Sequence, residues 1–258
     1  MAATMTSAAL AEWFTTNVPR PNAKLRLFCF PYVGGAAGVF RPWSTLFDPR
    51  VEVQALQLPG REQRLTDRPV DTLPALVDAI APAFEELDGP FAFFGHSMGG
   101  IVAFELMREL RRRGAPLPVL LFASACSAPQ IPDYVDPPRS GLPEEGIVAE
   151  LRRLNGTDDA ILNSAELRRL LLPALRADFN IVDLYRYYDE PPLDCPIVAL
   201  GGMHDDGIRV DMLAGWQMQT TRGYDLHMFN GDHFYLHPCR DALLTTIRRE
   251  LARHGHPR

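Results

Sequence analysis

Ten consecutive residues constrain this chain more than any others: Phe91-Ala92-Phe93-Phe94-Gly95-His96-Ser97-Met98-Gly99-Gly100. Residues 91–94 read as a strand buried on both faces, because the apolar run is unbroken. Residues 98–113 read as a helix that stops at Gly114, a residue suited to the left-handed C-cap. Strand and helix are joined by Gly-x-Ser-x-Gly, which leaves room only for a very sharp turn. Such a turn holds its serine in strained backbone angles and exposes the hydroxyl. The residues two before and two after that serine must be small, and Gly95 and Gly99 meet the demand. The pentapeptide by itself is weak, since a glycine-lined turn with an incidental serine is common. Its strand-and-helix setting makes Ser97 a candidate nucleophile.

The same alternation runs along the chain. Residues 25–30, 51–57, 119–123, 197–200 and 224–229 also read as strands. Residues 73–87, 212–221 and 241–254 read as helices, the first with Leu73, Leu76, Val77, Ile80 and Phe84 on one face. Alternating strands and helices predict an α/β fold, a mostly parallel sheet flanked by helices. A length of 258 residues with 47% apolar residues suits one large domain, residues 1–258, with a sizeable core. Residues 130–192 break the alternation. They begin in a proline-rich stretch (Pro129, Pro132, Pro137, Pro138 and Pro143) and continue as helices over 144–154 and 165–188, with Pro173 a break or kink. This reads as a helical lid inserted over the C-terminal edge of the sheet. The plainer alternative is an extra helical layer with no gating role.

A net charge of −6 argues against general nucleic-acid binding. Cys29, Cys126, Cys195 and Cys239 form no C-x-x-C pair and sit in apolar surroundings, so they read as reduced and buried. No signal peptide is visible, and no stretch reaches the ~18 apolar residues that span a membrane. The expected location is the cytoplasm.

A serine hydroxyl needs a base to take its proton, and a carboxylate to orient that base. With this elbow the chain order is serine, acid, histidine. His233 follows the last strand through Asn230-Gly231-Asp232 and is the candidate base. His96 and His227 read as packing residues, His204 precedes the acid, and His254 and His256 belong to the terminus. His237 with His233 would make a metal pair only weakly, since no H-E-x-x-H accompanies them, and no metal or cofactor is expected. Asp205 and Asp206 both follow the strand at 197–200. Spacing from Gly202 favours Asp205, and Asp206 stays open. A tetrahedral intermediate also needs N–H donors. One is Met98, after the nucleophile. The second comes from the loop Pro31-Tyr32-Val33-Gly34-Gly35-Ala36-Ala37-Gly38, with Val33 first and Tyr32 second. That loop lacks the spacing of a phosphate-binding motif.

Taken together, several segments resemble the type II thioesterases, the free-standing thioesterases of polyketide synthase and non-ribosomal peptide synthetase systems. They are Phe30-Pro31-Tyr32-Val33-Gly34-Gly35, Phe40-Arg41-Pro42-Trp43, Leu58-Pro59-Gly60-Arg61-Glu62-Gln63-Arg64, the elbow, Arg176-Ala177-Asp178-Phe179 and Gly231-Asp232-His233-Phe234-Tyr235-Leu236. Gln57, His204 and Asp206 depart from the family pattern. The resemblance implies an α/β-hydrolase fold, a Ser97–His233–Asp205 triad, and an oxyanion hole from the N–H groups of Val33 and Met98. It also implies hydrolysis of acyl groups from the phosphopantetheine arm of acyl or peptidyl carrier proteins, which clears stalled or mis-primed arms. Arg111–Arg113, Arg152-Arg153 and Arg168-Arg169 are candidate contacts for an acidic carrier, or simply solvated helix faces. Arg61 and Arg64 are candidates to line the site instead. A monomer is expected. The competing readings are a general carboxylesterase or lipase on the same fold, and a non-catalytic binding protein of that fold.

Overall fold

The computed structural model describes residues 8–131, 137–154 and 159–254. Pro132 and His256, singled out above, lie outside the described residues. One seven-stranded sheet organises the chain. Its strands are β1 (Phe14–Thr15), β2 (Leu25–Phe30), β3 (Val51–Leu56), β4 (Phe91–His96), β5 (Leu121–Ser124), β6 (Ile197–Gly202) and β7 (Tyr224–Phe229). Their spatial order is β1-β3-β2-β4-β5-β6-β7. β1 runs antiparallel to β3, and the other pairings are parallel. The helices are α1 (Ala8–Trp13), α2 (Trp43–Leu46), α3 (Leu73–Ile80), α4 (Met98–Arg113), α5 (Glu144–Leu154), α6 (Asp159–Asn163), α7 (Ala165–Asp183), α8 (Val210–Ala214) and α9 (Arg240–His254).

The continuous apolar strands are explained by cores on both faces of the sheet. Phe91 and Phe93 of β4 point into one core with Val77 of α3 and Leu106 of α4. Ala92 and Phe94 point into the other with Phe40, Trp43, and Leu243 and Ile247 of α9. Phe28, Ile197 and Ala199 join the first core, and Leu27, Val198 and Leu200 the second. Each fully buried phenylalanine contributes about 1.5–3 kcal/mol, so this alternation sets the register of the sheet.

Some helices differ from the sequence expectation. Residues 73–87 do not form one α-helix: α3 ends at Ile80 and a 3₁₀ turn follows at Ala81–Phe84. Pro82 has no N–H to continue the α-helical ladder. Likewise α8 gives way to a 3₁₀ turn at Gly215–Gln219, where Trp216 is buried and donates its Nε1–H to the Cys126 carbonyl at 2.8 Å. α7 runs unbroken through Pro173 and stops at Asp183, short of residue 188. The one missing N–H frees the Arg169 carbonyl, and Arg169 is an exposed residue where water can take the bond. α4 has the expected bounds, and Gly114 caps it at φ 66° with its N–H on the Leu110 and Arg111 carbonyls.

The order of the strands decides where a site can form. From β2 the chain crosses to β3 on one side, and β4 then returns to the other side of β2 before leading on to β5. The loops leaving β2 and β4 therefore diverge and open a crevice at their C-terminal ends. Above this edge, α5, α6 and α7 share a small core of Ile147, Leu151, Leu162, Leu175 and Phe179, and Val33 packs against it.

Candidate active site

The turn between β4 and α4 is as tight as the motif requires. Ser97 has φ 53° and ψ −118°, a strained region for a residue with a side chain. A Cβ on Gly95 would overlap the Gly99 carbonyl, and one on Gly99 would overlap the Phe30 carbonyl. The second overlap shows how closely α4 starts against the end of β2. The Ser97 N–H donates to the Ser124 carbonyl at 2.8 Å, which ties the turn to β5. Met98 opens α4, so its N–H has no helical acceptor behind it.

Val33 lies just beyond β2 on the neighbouring loop. Gly34 follows at φ 76°, and its N–H donates to Asp178 Oδ2 at 2.8 Å. Tyr32 is buried, with its hydroxyl 3.1 Å from His237 Nε2. His237 is thus a partner of that tyrosine.

Two further loops bring the acid and the base together. Met203 and His204 donate their N–H groups to the carbonyls of Phe229 and Gly231, which joins the loops after β6 and β7. Gly202 allows this, since a Cβ there would overlap the Asp232 carbonyl. The His233 Nδ1–H donates to Asp205 Oδ2 at 2.7 Å, and Asp205 Oδ1 accepts from the N–H groups of Gly207 at 2.9 Å and Ile208 at 3.1 Å. The Asp205 side chain is 2% exposed, whereas Asp206 is an exposed residue. Burial works to raise the Asp205 carboxyl, but the hydrogen bond and charge of His233, with the two N–H groups, outweigh it and hold the carboxyl below its ordinary range.

His96 does more than pack. Its fully buried ring bridges the elbow to the histidine loop, with Nε2 3.0 Å from the His233 carbonyl and Nδ1 2.8 Å from Ser124 Oγ. Burial, aided by the charges of His233 and His237, drives it well below the usual imidazole value of 6.5. The ring is neutral, so Nε2–H donates to the carbonyl and Nδ1 accepts from Ser124, whose oxygen lies 2.6 Å from the Tyr235 hydroxyl. This has a pH consequence. Below pH 6.5 the unfolded chain protonates His96 while the folded chain does not, so the unfolded state binds the extra proton. The stability present above that value is lost as pH falls toward the depressed folded value, by up to about 1.4 kcal/mol per pH unit. Urea denaturation between about pH 6.5 and pH 5 should show a shallower loss for His96→Asn than for the parent protein.

A second connection was not legible in the spacing. Arg61 and Asp178 form a doubly hydrogen-bonded pair, Nη1 to Oδ2 and Nη2 to Oδ1, both at 2.7 Å. Their side chains are only 5% and 2% exposed. Arg61 Nη1 also donates to the Gly35 carbonyl at 2.9 Å. Both partners therefore hold the backbone just after Val33, Arg61 through Gly35 and Asp178 through Gly34. The available signal was a charged residue among the apolar positions of α7, beside Ala174, Ala177 and Ile181. Asp178→Ala would strand a buried guanidinium and should cost about 3–5 kcal/mol of stability in urea denaturation. Gln57, at the departure from the family pattern, is buried and donates Nε2–H to the Arg61 carbonyl at 3.1 Å. Arg64 points elsewhere, pairing with Asp67 and stacking over Trp13.

Most of the clustered arginines have acidic partners on the protein itself. Arg111, Arg112 and Arg113 pair with Glu190, Glu109, Glu85 and Asp78. Arg153 pairs with Glu150 and Arg168 with Glu144, while Arg152 donates to Asn163. His227 likewise faces Glu250 at 3.3 Å instead of only packing.

Beside Ser97 is a cavity of about 200 Å³, walled by Met98, Ile101, Cys126, Val182 and Tyr185. A strained serine at a helix N-terminus, a carboxylate-oriented imidazole on the adjoining loop, and a chamber with apolar and polar walls together suit acyl transfer.

Comparison with known proteins agrees with this chemistry. The family model for a thioesterase domain matches residues 25–251. The gramicidin S biosynthesis protein GrsT of Aneurinibacillus migulanus is 42% identical, over 93% of this chain and 94% of its own length. The type II thioesterase BorB from the borrelidin biosynthetic cluster is 36% identical, with a TM-score of 0.84 over 93% of this chain and 97% of its own. RedJ, the thioesterase of the prodiginine pathway in Streptomyces coelicolor, is 40% identical, with a TM-score of 0.84 over 90% and 92% of the two chains.

Proposed function

This chain belongs to the thioesterase family, and we propose that it hydrolyses acyl groups from the phosphopantetheine arm of carrier proteins with Ser97 as its nucleophile. The observation that carries the reading is the 2.7 Å hydrogen bond that fixes His233 on Asp205, on the loop that His96 ties to the elbow of Ser97. The protein is a thioester hydrolase of the kind found in polyketide and non-ribosomal peptide biosynthesis. Its proposed task is editing, the release of mis-primed or stalled acyl groups.

In the proposed mechanism Asp205 holds the proton of His233 on Nδ1, which leaves Nε2 to act as base. Nε2 takes the Ser97 proton as Oγ attacks the thioester carbonyl. The N–H groups of Val33 and Met98 stabilise the oxyanion, the latter with the help of the α4 N-terminus. Collapse expels the pantetheine thiolate, which takes the proton from His233 and leaves an acyl ester on Ser97. Water then attacks that ester, with His233 again as base, and the carboxylic acid departs. Asp205 does not itself gain the proton; it stabilises the imidazolium.

Residues 130–192 form the proposed lid of a single domain, residues 1–258. The reading is supported by Val182 and Tyr185, which reach down from this segment to wall the chamber beside Ser97. The enzyme is proposed to work as a cytoplasmic monomer. Among the described residues, no helix is long and apolar enough to cross a membrane.

Two measurements test the reading. A fluorophosphonate probe should label the parent protein on Ser97, and acyl-pantetheine thioesters should be cleaved faster than matched oxygen esters. A preference for the oxygen esters would make the protein a carboxylesterase. Absence of labelling would point to a binding protein.

A further inference from the structure

We propose that Tyr185 is the end wall of the acyl chamber and sets the longest acyl chain the enzyme accepts. The inference rests on the reading that Ser97 carries the acyl group. Its basis is the relation between two cavities. The chamber beside Ser97 has a volume of about 200 Å³. A second cavity, of about 540 Å³, is lined by Leu73, Val77, Glu105, Arg108 and Leu184. Tyr185 lines both.

The two cavities follow one groove. On α4, Ile101 faces the chamber, while Glu105, Arg108 and Arg112 face the second cavity. These residues are spaced at i, i+4, i+7 and i+11, a single helix face. At the end of α7, Val182 lies on the chamber side and Ile181 and Leu184 on the far side. Tyr185 crosses the groove between them and donates its hydroxyl proton to Glu105 Oε1 at 2.7 Å. Glu105 is fixed in turn by Arg108 at 2.7 Å, and Arg108 Nη2 donates to the Tyr188 carbonyl at 2.5 Å. The wall is thus anchored on α4 and on the segment that follows α7.

Size gives the expected limit. At roughly 30 Å³ for each water-sized group, the chamber holds about seven methylene-sized groups. Acyl chains near octanoyl should fill it, and longer ones should meet the phenol ring. Removing the ring would join the chamber to the larger, partly apolar cavity behind it.

The test is a kcat/KM profile over acyl-pantetheine thioesters from acetyl to myristoyl, for the parent protein, Tyr185→Ala, Tyr185→Leu and Tyr185→Phe. The parent profile should fall beyond octanoyl. Tyr185→Ala should raise the dodecanoyl-to-butyryl ratio by at least ~10-fold, the scale that one or two methylenes command in a hydrophobic pocket. Tyr185→Leu should shift it less. Tyr185→Phe keeps the ring without the hydroxyl and should leave the limit in place, which separates the volume of the wall from its hydrogen bond. If the alanine and leucine variants cleave butyryl thioesters with an unchanged profile, the proposal is wrong. If alanine does not fold, the leucine variant and the parent cut-off decide. A parent protein that cleaves all lengths alike also overturns it. A parent protein that cleaves no thioester at all overturns the functional reading beneath it, so the two failures are distinct.

Discussion

Alanine at position 97 is expected to remove nearly all thioester turnover while leaving the fold intact. In serine hydrolases with a histidine base, loss of the nucleophile lowers kcat by about 10⁶-fold. The oxyanion donors and binding alone retain a rate ~10³–10⁴ over water. The fold should tolerate the change for reasons visible at the turn. The Ser97 side chain makes no capping hydrogen bond to α4, so truncation removes no support from the helix. Alanine also meets the same strain at φ 53° as serine does. Turnover of an acyl-pantetheine thioester, read beside a thermal melt, checks both halves of the expectation. Combining Ser97→Ala with His233→Ala should add little, because nucleophile and base act as a unit. A Ser97→Ala protein that keeps more than about a hundredth of the parent activity would assign the nucleophile elsewhere.

The second large effect is expected from Asp205→Asn. The introduced amide could keep its carbonyl oxygen on the N–H groups of Gly207 and Ile208, now held by Asp205 Oδ1. Its N–H₂ group would then face His233 Nδ1 and place the imidazole proton on Nε2, the nitrogen that accepts from Ser97 in the proposed mechanism. A change of this kind costs about 10⁴-fold in kcat where it has been made in a serine–histidine–aspartate triad. Asp206→Asn alters an exposed side chain one residue away and should change kcat by no more than a few-fold. Steady-state kinetics on the two variants therefore separates two neighbours with the same functional group. A larger loss for Asp206→Asn would reverse the assignment of the acid.

Much of this arrangement was legible because it depends on local sequence. Phe91 to Gly100 encodes a strand, a turn and a helix within ten residues, and the structure follows that pattern to the Gly114 cap. The loops after β6 and β7 were legible for the same reason, since each follows an apolar strand directly. α1 and β1 were not, because six and two residues are too short to show a period. The apolar period over 73–87 runs past the end of α3, where Pro82 tightens the backbone into a 3₁₀ turn. The contacts of His96, Asp178 and Tyr185 were illegible for another reason. Arg61 and Asp178 are 117 residues apart, and Glu105 and Tyr185 are 80 apart, so no local pattern couples them. His96 reads as a packing residue until the His233 carbonyl is found beside its ring.

The pair formed by Arg61 and Asp178 also bears on how this protein can be engineered. Residues 130–192 look like a cassette that could be exchanged with a relative to alter acyl preference. One of the two charges travels with the cassette and the other stays behind. A transplanted segment without an acid at position 178 would leave Arg61 unpaired and release the Gly34 N–H from its anchor. A chimera chosen for its binding chamber alone would then alter the loop of the proposed oxyanion donor Val33, in the part of the protein that had not been exchanged. The junction that has to match lies in the middle of a helix, well away from the ends where the chain would be spliced.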